Sequence, residues 1–236
     1  MSAPNSQAKT ALLVGASRGL GHAIAAQLLQ KGLSVVGTVR AGKRTPFHDL
    51  VDANPSRAEV EALDMNEPAQ LEALHERLGS RTFDILFVNA GTTNRDPSQT
   101  IGQVSTDEFV EIMITNALSP MRVVERFEHC IAPNGLIGVM SSGQGSITNN
   151  VMGQRELYRG SKAALNQFMR SFAARQKDTA RALVVTAPGW IKTALGGPDA
   201  PLTIEETIPK LVDVLLAKME RPGLEYLDYK GNTVPW

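Results

Sequence analysis

Two hydrophobic patterns take turns along this chain. Short, nearly continuous apolar runs fall at residues 10–14, 34–39, 58–63, 85–89, 136–140, 182–187 and 225–227. Between them, apolar residues recur at helical spacing over 21–31, 68–78, 106–131, 156–177 and 204–219. Strands covered on both faces read as continuous apolar runs, whereas a covering helix needs only one apolar stripe. The alternation predicts an α/β fold: one doubly wound, Rossmann-type domain with a seven-stranded, mostly parallel sheet and helices on both faces. Asn66 ahead of Glu67-Pro68, Ser105, and Thr203 ahead of Ile204-Glu205-Glu206 are the expected helix caps. Residues 1–8 predict a disordered start and 9–236 a single domain.

In such sheets ligands sit beyond the carboxyl ends of the strands. The first run ends there in Gly15-Ala16-Ser17-Arg18-Gly19-Leu20-Gly21. Glycines at a strand-to-helix turn allow the tight bend and a close backbone approach to a pyrophosphate, which the helix N-terminus attracts. The spacing is G-x-x-x-G-x-G rather than G-x-G-x-x-G, and glycines serving a purely steric turn would read the same way. The second run ends at Arg40, about twenty residues further on, where an acid would bind the ribose hydroxyl of NAD. No carboxylate stands there. Arg40, followed by Lys43 and Arg44 and joined by Arg18 in the glycine turn, suits a 2′-phosphate and hence NADP(H). A solvated basic loop is the plainer alternative.

Tyr158 and Lys162 are four residues apart and share a helix face. An ammonium beside a phenol favours the phenolate, so Tyr158 is expected to exchange protons with a substrate oxygen near neutral pH. Such pairs are commonly just exposed neighbours, but behind a nucleotide-binding turn the pair supplies the acid/base half of a hydride-transfer site.

Composition narrows the classes. Lys plus Arg and Asp plus Glu both number 24 in 236 residues, so net charge gives no reason to expect a nucleic-acid or membrane-surface partner. A lone Cys130 forms no internal disulfide and suits a reducing, cytoplasmic setting. No apolar run resembles a signal peptide or a membrane span. His22, His48, His75 and His129 are scattered without metal-ligand spacing, so no metal site is expected.

Together these motifs resemble the short-chain dehydrogenase/reductase family nearly end to end. The glycine turn is similar to that family's cofactor loop. Asp64, followed by Met65, matches the acid that contacts adenine, and Asn89-Ala90-Gly91 the motif ending the fourth strand. Asn116 stands where the family keeps its active-site asparagine, Ser142 matches its catalytic serine (Ser141 fits the register less well), and Tyr158 and Lys162 its catalytic pair. Pro188-Gly189-Trp190-Ile191-Lys192-Thr193 matches the nicotinamide-side segment, with Ile191 and Thr193 near the carboxamide. A narrower likeness, to C-factor-like and sniffer-like carbonyl reductases, rests on the 142–158 stretch, on residues 196–202 and on the ending from Asp228 to Trp236. Val88 and Ala194 depart from the commoner patterns.

The resemblance implies a carbonyl reductase or alcohol dehydrogenase. Tyr158 would be the general acid or base, Lys162 would lower its pKa and bind the nicotinamide ribose, and Ser142 would donate to the developing alkoxide. Asn116 would anchor a water leading to Lys162. Singly, Ser142 and Asn116 could be a turn serine and a helix polar group. A serine hydrolase is excluded by the lack of a G-x-S-x-G elbow. Trp190, Met152, Leu157 and residues 195–202 are expected as an apolar wall and lid with Gly196 and Gly197 as hinges, facing a small carbonyl or alcohol substrate. A homodimer or homotetramer is expected by analogy. The second reading is a cofactor-binding signalling protein acting through a partner.

Overall fold

The computed structural model describes residues 8–236, so the expected disordered start falls, except for Ala8, outside the described residues. The strands are β1 (Thr10–Val14), β2 (Ser34–Val39), β3 (Ala58–Ala62), β4 (Phe83–Val88), β5 (Ile131–Met140), β6 (Ala182–Ala187) and β7 (Gly223–Asp228). They form one sheet in the order β3-β2-β1-β4-β5-β6-β7, with every neighbouring pair parallel. The helices are α1 (Gly19–Gln30), α2 (Pro46–Ala53), α3 (Pro68–Leu78), α4 (Thr106–Met113), α5 (Ser119–Phe127), α6 (Glu156–Arg175) and α7 (Ile204–Lys218). Chain order runs outward from β1 to β3 and then returns to β4 on β1's other side. This reversal opens a crevice between the carboxyl ends of β1 and β4, the switch point where such sheets bind ligands.

The period of two along each strand divides the core into two layers. Leu12 and Val14 of β1 pack with Leu71 and Leu74 of α3, Val123 and Phe127 of α5, and Leu165 and Met169 of α6. Ala11 and Leu13 face the other way, with Ile24 and Leu28 of α1, Phe47 of α2, and Leu211 and Leu215 of α7. Burying each such leucine contributes about 1.5–3 kcal/mol, so a doubly covered β1 anchors the sheet's centre and the turn leaving it. No described helix is long and apolar enough to cross a membrane.

Several elements differ from the sequence expectation. The middle helix does not run from 106 to 131. It opens into a π-helical turn at Ile114–Leu118, restarts as α5 with Pro120 in its first turn, and ends in a 3₁₀ turn at Glu128–Cys130. Strand β5 then starts at Ile131, with a register shift opposite Phe83–Ile85 that hides its first half from a period-two reading. Helix α2 leaves no apolar stripe in the sequence because it spans only eight residues and buries only Phe47; Pro46 in its first turn and a Thr45–His48 capping box start it. Ser105 and Thr203 cap as expected, accepting from the Glu108 and Glu206 N–H groups. Asn66 does not: Glu67 holds the N-cap position of α3, and the Asn66 amide donates instead to Thr115 Oγ1 at 2.8 Å. Nor are all the histidines scattered. The ends of α3 and α5 bring His75 Nε2 to 3.0 Å from His129 Nε2, which lies 3.4 Å from Cys130 Sγ. These three side chains sit at the amino-terminal edge of the sheet, opposite the crevice.

Candidate active site

The crevice is a cleft of about 820 Å³ running from the β1–α1 turn to the start of α6. Its floor explains the glycines. Gly15 has φ +91°, and a Cβ there would stand 2.8 Å from Ala90 Cβ; its N–H donates to Thr38 Oγ1 at 3.0 Å. Gly21 lies behind the cleft wall, where a Cβ would collide with the Gly15 carbonyl oxygen at 1.9 Å. Asn89 Nδ2 donates to that same oxygen at 2.9 Å, so the motif ending β4 pins the glycine turn. Gly19 differs, with φ +56° and no atom within 4 Å of a Cβ, so its freedom opens the turn toward the cleft. Ser17 and Leu20 line the cleft beside it.

Helix α1 starts without a side-chain cap and without an acid in its first turn. Its leading N–H groups and dipole therefore face the cleft uncompensated, as an anion site requires. Exposed Arg18 and Arg40 line the same end and join no ion pair among the described residues. Arg44, grouped with them by sequence, is already engaged: it pairs with Asp49 at 2.7 Å and with Asp52 across α2, which raises its pKa. Neither Arg44 nor Lys43 lines the cleft, whereas Asp64 and Met65 close this end at the tip of β3.

At the other end, Ser142, Tyr158 and Lys162 converge. Lys162 is buried, and its Nζ donates to the Met140 carbonyl at 3.0 Å. With no carboxylate beside it, burial lowers its pKa to about 8. Gly91 leaves it room, since a Cβ there would lie 3.2 Å from Nζ. Lys162 Nζ stands 6.0 Å from the Tyr158 ring centre, while the Arg155 guanidinium carbon stands 5.3 Å away. Burial raises the Tyr158 pKa, with the Ser142 hydroxyl and Arg155 pulling it down less strongly. Burial thus opposes the lowering expected from Lys162. Desolvation of the phenolate outweighs the nearby charges.

Asn116 belongs to the second layer of the site. It is fully buried behind the cleft, where Oδ1 accepts from Thr92 N at 2.8 Å and Nδ2 donates to Thr92 O at 2.8 Å and Ser161 Oγ at 3.0 Å. Ser161 in turn donates to the Tyr158 carbonyl. The side chain thus clamps the β4 exit and α6 together from the π turn, with both donor sites used. The two serines separate cleanly. Ser141 Oγ donates to Asn166 Oδ1 at 2.6 Å inside the core, whereas Ser142 Oγ accepts from Gln144 N at 3.2 Å and faces the Tyr158 hydroxyl. Ser142 remains free to donate into the cleft.

Pro188, Gly189, Ile191 and Thr193 line the segment after β6, and Gly189 turns it with φ +93°. Of the expected apolar wall, Trp190 and Leu195 line the cleft, but Leu157 is core and Met152 points to solvent. The lid is tied down. Trp190 Nε1 donates to the Gly196 carbonyl at 2.7 Å, and Gly196 N to Thr193 Oγ1 at 2.9 Å. Gly196 is required by close packing, since a Cβ there would meet the Ile191 carbonyl oxygen at 2.0 Å; Gly197 is open, with φ +79°. Sequence reasoning missed Thr38, Gln144, Arg155 and Tyr226. Tyr226, whose hydroxyl donates to the Ser142 carbonyl, holds the serine from β7; burial pushes its pKa up to about 12.

A sequence model of the family described as short chain dehydrogenase matches residues 9–201. Among solved structures, one from Burkholderia multivorans, described as a short-chain dehydrogenase/reductase with bound NADP, is 66% identical. It superposes with a TM-score of 0.96 over 98% of this chain and 100% of that one. A carbonyl reductase from Pseudomonas aeruginosa in complex with NADP is 29% identical, with a TM-score of 0.89 over 98% of this chain and all of that one. The C-signal protein of Myxococcus xanthus is 30% identical over 155 residues, which are 65% of this chain and 92% of that protein.

Proposed function

This chain belongs to the short-chain dehydrogenase family of oxidoreductases, and we propose that it is an NADP(H)-dependent reductase of ketones or aldehydes with Tyr158 as its proton donor. The observation that carries this reading is one cleft holding an uncapped α1 N-terminus with two unpaired arginines at one end and Ser142, Tyr158 and Lys162 at the other. The residues present fit the cofactor. The open face at Gly19 and the α1 N–H groups suit its pyrophosphate, Arg18 and Arg40 its 2′-phosphate, and Asp64 with Met65 its adenine. Asn89, Ala90 and Gly91 would back its riboses, and Pro188, Gly189, Ile191 and Thr193 its carboxamide end. NADP-bound relatives of the same fold support the choice.

When bound, NADPH supplies the hydride; the chain's own residues supply everything else. Ser142 donates a hydrogen bond to the carbonyl oxygen, favouring the charge that develops there. Tyr158 delivers the proton to that oxygen and takes it back in the reverse direction. Lys162, held by Met140, orients the ribose hydroxyls and keeps a positive charge beside Tyr158 as the proton leaves. Asn116 is a positioning residue, fixing α6 against the β4 exit. The test is NADPH consumption by the purified protein against ketones, aldehydes and quinones. Turnover of any member is expected; NADPH binding without turnover across the panel would shift weight to a partner-mediated role like that suggested by the C-signal relative.

The reading extends to self-association. Phe109 and Val110 on α4, Leu118 in the π turn and Phe168 on α6 are each more than 40% exposed. Apolar side chains left out on neighbouring helices support a homodimer or homotetramer through this face. Sedimentation of a monomer at micromolar concentration would contradict it.

A further inference from the structure

Four cationic residues line the cleft, against one carboxylate, Asp64. Arg18 and Arg40 belong to the phosphate end and Lys162 to the ribose, which leaves Arg155, beside Tyr158, as the one cleft cation with no part in holding the cofactor. Its position is costly. Gly153, Gln154 and Arg155 have φ of +64°, +56° and +51°, three consecutive left-handed residues of which two carry side chains. Non-glycine residues adopt this conformation only against a steric cost, and such strain gathers where a side chain must be aimed. The turn sets Arg155 at the N-terminus of α6, in the cleft wall beside Tyr158.

No described acid neutralises it. Glu156, its neighbour, is turned away to accept from Ile101 N, and Arg155 joins no ion pair among the described residues. Its Nε is buried and has no hydrogen-bond partner. With Nε enclosed, the guanidinium meets the cleft by its outer edge, and the two Nη atoms there match a carboxylate end-on, one to each oxygen. From the Tyr158 side, a molecule whose carbonyl meets Ser142 and Tyr158 would extend its remaining atoms past this edge.

We infer that Arg155 binds an anionic group of the substrate, making the cleft selective for oxo acids, which are ketones or aldehydes carrying a carboxylate. This rests on the reductase reading above. Tyr158 still delivers the proton to the carbonyl oxygen, the hydride comes from NADPH, and the carboxylate stays unchanged as a handle.

The test compares aliphatic and aromatic 2-, 3- and 4-oxo acids with their methyl esters, matched in shape but uncharged. Wild type should prefer at least one acid over its ester by about tenfold or more in kcat/KM, as expected for a charge-assisted contact. Arg155→Asn, whose side chain tolerates the left-handed backbone, should remove that preference mainly through KM of the acid. The esters should fall by a smaller factor, reflecting lost influence on Tyr158. Arg155→Lys, which keeps the charge and loses the fork, should restore part of the preference. Calorimetric titration of the same acids into NADP⁺-loaded protein should show the same loss of affinity without turnover. Equal rates for acids and esters, or equal losses in both on substitution, would overturn the inference and leave the reductase reading intact. Turnover of esters alone would overturn it too. Failure of the protein to bind NADPH in these samples would instead strike the reading beneath it.

Discussion

At the glycine-turn end of the cleft, Arg18 and Arg40 stand in solvent around an uncapped helix N-terminus, whereas at the α6 end Lys162 and Tyr158 are buried. The first arrangement is attraction. Exposed cations cost little to hold and select a ligand by its phosphates. The second is tuning. Burial brings Lys162 down to about 8, so its charge is held loosely, and raises Tyr158, so its proton is held more firmly. A buried cation with only the Met140 carbonyl for company, next to a phenol that resists ionising, is poorly arranged for stability and well arranged for a proton that must move. The two ends should therefore respond differently to substitution: cofactor choice changes at one and chemistry at the other.

The largest expected effect is at the buried end. Tyr158→Phe should lower turnover by about 10²–10⁴-fold, the usual worth of a positioned acid, while NADPH affinity stays within a few-fold. Steady-state rates beside a fluorescence titration check both halves. At the exposed end, Arg40→Ala should weaken NADPH by about five- to fiftyfold and NADH hardly at all, a range set by one charged contact discounted for solvent. Equal losses for both cofactors would mean that Arg40 does not read the 2′-phosphate. Because a proton accompanies the hydride, initial rates of carbonyl reduction should fall as pH rises and those of alcohol oxidation should climb. Parallel pH profiles in the two directions would remove that proton from the scheme.

The smallest effect is thermodynamic. Lys162 loses its proton near pH 8 in the folded protein, against 10.5 as its ordinary value. Between those values the unfolded chain binds more protons, so stability should rise with pH there. Lys218, also lowered by burial, adds in the same direction, so Lys162→Met should flatten the rise without abolishing it. Above pH 10 the sign reverses. Tyr158 and Tyr226 are raised by burial, the folded state keeps their protons longer, and stability falls. Denaturant midpoints across pH 7–11 for the two proteins would show either pattern.

The same contrast explains what was legible in the sequence. Continuous strands, the glycine turn and the Tyr158/Lys162 spacing are local patterns, and six of the strands appear within about two residues of where the runs put them. Arg18 and Arg40 could be read because an exposed residue at a strand end acts by position alone. What stayed hidden depends on contacts across the sheet: the π turn at Ile114–Leu118, the Asn116 clamp on Thr92 and Ser161, and the Tyr226 bond to Ser142. None has a short-range signal, because the partners lie 24 to 84 residues apart. Arg155 is an intermediate case. It lies three residues before Tyr158, yet nothing in the sequence announces that two non-glycine residues ahead of α6 are left-handed. The convergence of His75, His129 and Cys130 was likewise invisible, since its spacing is tertiary.

The most direct test of the division between the two ends is a double measurement on Tyr158→Phe: the NADPH dissociation constant and the single-turnover rate of NADPH oxidation with a carbonyl substrate that wild type reduces. Binding should be unchanged while the hydride step slows at least a hundredfold. A normal single-turnover rate, or loss of NADPH binding in step with loss of rate, would contradict it.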